Sequence, residues 1–222
     1  MIRLKKHLTL FVLAFGTSTQ AGYLCPNNRG HKVALTFDDG PHPNRTEIVI
    51  QALEERNTPA TFFILGSQSS KYPELTSRIA ARFRIANHGW KHINYTRSTV
   101  EEQRGDIERS TLQLEAFLDE PWKFRLPYGA GLRGDPQRLV ESYGYRHIYW
   151  SIDPRDWDAN LSAEESFQII LSEANKTPST MYPNGHVLLL HDVQAKTAAH
   201  LGSWIDRLED QGHCFVSLRE VL

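Results

Sequence analysis

From residue 33 to the carboxyl end, short apolar runs alternate with longer amphipathic stretches, which restricts the chain to a fold built from repeated β-α units. Residues 33–37, 60–65, 123–126, 146–152, 186–190 and 214–216 read as strands, with a further short strand through Ile85. Residues 46–56, 71–83, 98–118, 136–143, 163–174 and 197–211 read as helices. In the long helix Ser98 and Glu101 have capping-box spacing, and Val100, Ile107, Leu114 and Phe117 recur on one face; Gly105 weakens it slightly. With 222 residues, 40% of them hydrophobic, and no repeat or low-complexity linker, one domain with one core and one active site is expected. Such units close into a barrel or spread into a doubly wound sheet, and in both cases ligands gather at the carboxyl ends of the strands.

The amino end follows a different pattern. Arg3, Lys5, Lys6 and His7 precede an apolar stretch over 8–15, and Thr19-Gln20-Ala21 follow, the order of a secretory signal. The apolar run falls well short of the roughly 20 residues that span a bilayer. Residues 1–21 are therefore expected to be a cleaved signal peptide, and 22–222 an exported catalytic domain, periplasmic or secreted, with no stable membrane anchor. Gly22-Tyr23-Leu24 are not the small residues that precede a lipidated cysteine, so Cys25 is not expected to carry lipid. The first 21 residues hold three basic side chains and no acid, so without them the formal charge goes from −1 to −4, which suits nucleic acid poorly as a partner. Export also places Cys25 and Cys214, the only cysteines, where disulfides persist. A bridge closing so long a loop contributes roughly 5 kcal/mol in the chain-entropy model.

Polar groups gather where the expected strands end. In Thr36-Phe37-Asp38-Asp39-Gly40-Pro41 two adjacent carboxylates repel each other, and a bound cation would relieve that repulsion, leaving one acid to coordinate and the other to act as a base. Alone, the segment is more simply an Asp-Gly turn with solvated acids. Asn87-His88-Gly89-Trp90-Lys91-His92 carries two imidazoles four apart, weak evidence by itself but much stronger beside Asp39. One carboxylate and two imidazoles leave coordination positions open, as a catalytic site requires. Three further segments end strands with polar groups: Phe124-Arg125-Leu126-Pro127-Tyr128-Gly129, Ser151-Ile152-Asp153-Pro154-Arg155-Asp156-Trp157, and Leu188-Leu189-Leu190-His191-Asp192.

In this order the five segments resemble the five motifs of the polysaccharide deacetylase family, which is carbohydrate esterase family four, the nodulation-protein B homology domain. The resemblance runs over residues 32–222. It implies an α/β fold, a distorted (β/α) barrel with fewer than eight strands in a single domain. It also implies hydrolysis of the acetamido group of N-acetylglucosamine-type residues in peptidoglycan or a chitin-like polymer; some relatives cleave acetyl esters from xylan instead. By position, Asp39, His88 and His92 match the metal triad for one divalent ion, zinc first, with cobalt, nickel or manganese also suited. Asp38 matches the general base, Arg125 its orienting partner, His191 the general acid and Asp156 the carboxylate beside it. Tyr128 matches the backbone donor to the oxyanion, and Trp157 and Leu189 the apolar pocket for the acetyl methyl, although outside the family both would be assigned to ordinary core. The chain is expected to act as a monomer.

Two features depart from the family pattern. Gly89 stands where serine or threonine commonly follows the first histidine, so a hydroxyl that would brace the loop is missing. Arg82-Phe83-Arg84 replaces the common Gly-His-Glu, which affects the local strand and no assigned ligand. His31, His147, His186, His200 and His213 have no partner at ligand spacing, His42 is placed to line the cleft, and Asp153 and Asp192 are read as structural. Two histidines and a carboxylate also make the facial triad of an iron oxygenase, but that chemistry needs neither Arg125, Asp156 nor His191. An inactive polysaccharide-binding module would have lost a catalytic position, and none is lost.

Overall fold

The computed structural model describes residues 31–222. The expected signal segment and Cys25, and with it the bridge to Cys214, lie outside the described residues. Seven strands, β1 (Lys32–Asp38), β2 (Ala60–Ile64), β3 (Arg84–Asn87), β4 (Lys123–Phe124), β5 (Arg146–His147), β6 (His186–His191) and β7 (Cys214–Phe215), form one parallel sheet. Their order is β5-β4-β3-β2-β1-β6, with β7 pairing the start of β1. Beyond β5, Ile152 bridges Leu188 of β6, and the N–H groups of Ser151 and Ile152 donate to Val187 O at 2.9 and 3.1 Å. The sheet thereby curls into the expected distorted barrel with fewer than eight strands. Around it lie α1 (Arg45–Glu55), α2 (Gly66–Lys71), α3 (Pro73–Ala80), α4 (Val100–Leu114), α5 (Asp135–Ser142), α6 (Ala163–Ala174), α7 (Ala195–Asp210) and α8 (Leu218–Val221).

Strand alternation decides what faces the barrel interior. Val33, Leu35 and Phe37 of β1 join the large apolar cluster shared with Val49, Ile50 and Leu53 of α1 and Leu201, Trp204 and Ile205 of α7. Ala34 joins an inner cluster with Phe63, Ala86 and Val187. Thr36 and Asp38 continue that inner row, as Leu189 and His191 do on β6, where Asp38 is the register partner of His191. The same period that makes β1 a buried strand thus delivers one carboxylate to the inside at its carboxyl end.

Several boundaries differ from the sequence expectation. The helix expected over 71–83 is α3 alone, over 73–80: Pro73 takes its first position, and the non-helical Tyr72 (φ −131°, ψ 63°) separates it from α2, which the sequence reading did not include. The capping box of α4 is Thr99 with Glu102, one residue later than Ser98 with Glu101: Thr99 N–H donates to Glu102 Oε2 at 2.8 Å and Glu102 N–H to Thr99 Oγ1 at 3.2 Å. Val100, at the first position of α4, is 49% exposed, and the helix buries Gln103, Asp106, Ile107, Ser110 and Leu114. The strand expected over 146–152 is regular only at Arg146–His147, since Arg125 takes the carbonyls of Ile148 and Tyr149 and the Tyr149 N–H goes to the Tyr182 hydroxyl. Arg84 opens β3 in register with Thr61 and pairs with Asp119 at 2.9 Å, so Arg82-Phe83-Arg84 leaves the strand intact.

Candidate active site

Carboxyl ends of the strands surround a cleft of about 410 Å³ lined by Asp38, Asp39, His88, His92, Tyr128, Trp150, Asp153, Trp157, Leu189, His191 and Gln194. Asp39, His88 and His92 each offer one atom to a group whose members all lie within 4.8 Å of one another. Asp39 Oδ1 is 3.3 Å from His88 Nε2 and 3.2 Å from His92 Nε2. Two ligands each about 2.1 Å from a tetrahedral ion stand about 3.4 Å apart, so these separations fit a single cation. Asp39 Oδ1 is buried and accepts no hydrogen bond among the described residues, an arrangement costly without a charge to meet it. His88 Nδ1 lies 2.8 Å from Arg125 O, a contact that requires its N–H there and leaves Nε2 with the lone pair a metal needs. Although burial opposes ionisation, the three histidines around Asp39 hold its carboxyl far below the usual range. Burial likewise opposes a charge on His88, yet Asp38 and Asp39 draw its pKa up, whereas in His92 burial prevails and the pKa falls.

Asp38 points inward to a wholly buried Arg125, whose Nη1 donates to Asp38 Oδ1 at 2.7 Å and to Thr36 Oγ1 at 2.9 Å. Nε and Nη2 of Arg125 donate to Ile148 O and Tyr149 O at 3.3 and 3.0 Å, and the guanidinium lies over the Phe63 ring at 4.0 Å. These contacts fix the Asp38 carboxylate, whose other oxygen stands 3.7 Å from His88 Nε2.

His191 lies 2.7 Å through Nδ1 from Asp156 Oδ1, and its backbone N–H donates to Asp156 Oδ2 at 2.8 Å. The Thr197 hydroxyl donates to the same oxygen. Burial alone would lower the His191 pKa, but the bond to Asp156 and its charge, with Asp38 and Asp39 behind, raise it to about 9. His191 is thus built to carry a proton at neutral pH.

Four residues at or beside this site hold left-handed backbone: Asp39 (φ 77°), His92 (57°), Tyr128 (60°) and Arg155 (55°). Such conformations cost of order 1–3 kcal/mol each and persist where packing over-determines them. Tyr128, at 64% exposed, and Trp157, at 50%, stand on the rim, whereas Leu189 is buried at its floor. All ten residues assigned from the sequence therefore meet in one place: seven line the cleft together with Leu189, and Arg125 and Asp156 stand behind it.

A family profile described as polysaccharide deacetylase matches residues 26–148. The chain belongs to the polysaccharide deacetylase family. Among relatives of this family member, the peptidoglycan-N-acetylglucosamine deacetylase of Bacillus cereus is 32% identical over 89% of this chain and 90% of its own length. A chitooligosaccharide deacetylase of Azorhizobium caulinodans is 34% identical over 72% and 73%. Against the peptidoglycan-N-acetylglucosamine deacetylase of Listeria monocytogenes, 30% identical over 86% of this chain, the chain spans 38% of the relative's length. The crystal structure of the Bc1960 peptidoglycan N-acetylglucosamine deacetylase superposes with a TM-score of 0.75 at 29% identity, covering 89% of this chain and 90% of that one. The deacetylase profile ends before Asp156, Trp157, Leu189 and His191, so the placement of the last three in the cleft, and of Asp156 behind His191, is an observation independent of it.

Some residues of the site escaped the sequence. Trp150 and Gln194 line the cleft, and Asp153, read as structural, lines it too while accepting the Arg155 N–H at 2.8 Å. Trp150 shares the alternation of Ile148 and Ile152, the signal that would have found it. His42 does not line the cleft; its Nδ1 accepts the N–H groups of Asn44 and Arg45 at 3.3 Å each and closes the start of α1. His31, His186 and His213 gather at the amino ends of the strands, away from the site.

Proposed function

We propose that this chain removes N-acetyl groups from N-acetylglucosamine residues of a polysaccharide, peptidoglycan foremost and chitin-like polymers second. The observation that carries this reading is the convergence of two charged pairs, Asp38 with Arg125 and Asp156 with His191, on the Asp39, His88 and His92 cluster. Amide hydrolysis needs a base for water and an acid for the departing nitrogen, which leaves poorly as an anion. Asp39, His88 and His92 would hold a divalent cation, zinc first with cobalt, nickel or manganese also suited, and that ion would supply Lewis acidity toward the acetyl carbonyl and the attacking water.

The side chains divide the remaining work. Asp38, held by Arg125, takes a proton from the attacking water. The Tyr128 backbone N–H faces the developing oxyanion, and Trp157 and Leu189 receive the acetyl methyl. His191, with Nδ1 tied to Asp156, gives its proton to the amine nitrogen. That last step favours an amide over an acetyl ester, whose alkoxide leaves with less help. The amino-terminal segment supports export to the periplasm or medium, where a Cys25–Cys214 bridge would persist and a monomer would meet the polymer.

Acetate release from peptidoglycan, chitin oligomers and acetylated xylan, before and after chelation and re-addition of zinc, tests this reading. Release from the N-acetylated polymers that stops on chelation is expected, and activity confined to xylan would overturn it. Asp38→Asn should abolish turnover with zinc still bound; loss of zinc in that variant would mean that the two aspartates have exchanged roles.

A further inference from the structure

Between the two imidazoles of the triad the chain follows no regular helix. Gly89 has φ +84° and His92 φ +57°, so the loop needs outside support to hold one shape. Three successive N–H groups receive it from side chains. Gly89 N–H donates to Asn87 Oδ1 at 2.8 Å, Trp90 N–H to Asp106 Oδ2 at 2.8 Å, and Lys91 N–H to Asp106 Oδ1 at 3.0 Å. The Tyr95 hydroxyl, just past the loop, donates to Asp106 Oδ2 at 2.9 Å. Asp106 is buried on α4, so a carboxylate removed from water exchanges hydration for two donors from the loop and the Tyr95 hydroxyl beyond it. A Cβ at residue 89 would stand 2.3 Å from Asp106 Oδ2; the carboxylate fills the space that a side chain there would take. The missing hydroxyl at position 89 and the buried acid seventeen residues later are thus two halves of one arrangement.

We propose that Asp106 is a positioning residue for the metal site: it sets the 88–92 loop so that His92 stands beside Asp39 before a cation arrives. This rests on the triad assigned above. Residues that orient a ligand loop typically govern metal affinity by 10–100-fold. Asp106→Asn keeps one acceptor oxygen but turns an NH2 group toward a backbone N–H.

The test is zinc affinity by competition with a chromophoric chelator, on purified protein whose fold is checked by circular dichroism. Asp106→Asn should bind zinc at least about tenfold more weakly, with activity recovering as zinc is raised. Amide exchange at Trp90 and Lys91 in the metal-free protein should quicken in this variant and stay unchanged in Asp38→Asn. Gly89→Ala, which displaces the same carboxylate, should weaken zinc binding by itself and add little to Asp106→Asn. Affinity within about twofold of the wild type in Asp106→Asn, or losses that multiply in the double variant, would overturn the proposal. Should Asp106→Asn fail to fold, Gly89→Ala carries the affinity measurement. Should the wild type bind none of zinc, cobalt, nickel or manganese, the reading of the triad as a metal site fails, and the exchange rates alone decide whether Asp106 holds the loop.

Discussion

Replacing Asp156 by asparagine should move the alkaline limit of catalysis rather than merely lower the rate. The His191 pKa of about 9 exceeds the ordinary 6.5 because the bond to Asp156 and its charge outweigh burial. Asparagine keeps an acceptor for one donor and removes the charge, so burial regains its influence and the pKa returns to 6.5 or below. At pH 7.5 the protonated fraction then falls from nearly complete to roughly one in ten, a tenfold loss of rate from protonation alone. Acetate release measured between about pH 6 and 10 at saturating substrate reads this directly: the alkaline limb should lie near 9 in the wild type and near or below 6.5 in the variant. Stability follows the same sign. A histidine whose folded pKa lies above its unfolded value contributes fully below about pH 6.5 and loses that contribution as pH rises through about 9, so the variant's deficit should vanish in alkali. A lower plateau with the limb still near 9 would refute the assignment of His191 as the acid tuned by Asp156.

Other substitutions probe the supports. Arg125→Lys leaves the Ile148 and Tyr149 carbonyls without their donors and should cost about 3–5 kcal/mol in urea unfolding; a loss under about 1 kcal/mol would refute the buried network. Gly40→Ala puts a Cβ 2.1 Å from Asp192 Oδ2 and should lower stability by about 1–3 kcal/mol, whereas Gly105→Ala, with nothing within 4 Å, should raise it by roughly 1 kcal/mol. Asp192 is buried, which together with Asp39 raises its pKa to about 7, despite the bond from Thr46. Its carboxyl therefore stabilises the fold fully below about pH 4 and loses that contribution as pH rises through about 7. Asp192→Asn should raise the metal-free Tm at pH 8 and leave it unchanged near pH 4; an equal shift at both would refute the buried acid.

The site was more legible than the elements that carry it. Asp38-Asp39 and His88 with His92 drew notice only in combination, since each alone reads more simply as a solvated turn or a chance pair, and His191 took its role from the resemblance. Arg125 and Asp156 were found through the resemblance, as nothing local in the sequence says that a guanidinium is buried. The boundaries misjudged were those that tertiary bonds override. The strand after Arg146 gives its carbonyls to the Arg125 side chain just past β4, and α4 hides polar groups, Gln103 and Asp106, on its inner face, where an apolar stripe was sought. Asp106 could not be found by hydrophobic period because it is buried for the donors it serves. Tyr72-Pro73 was a visible breaker, and its effect on the helix follows from the fixed φ of proline.

Arg125 serves both halves of the site, its amide oxygen meeting His88 Nδ1 while its guanidinium holds Asp38. Orientation of the His88 ring and of the Asp38 carboxylate is thereby geared to one short stretch of backbone after β4. A substitution that shifts this stretch moves both at once, so efforts to retune the cleft should leave it untouched and work on the rim.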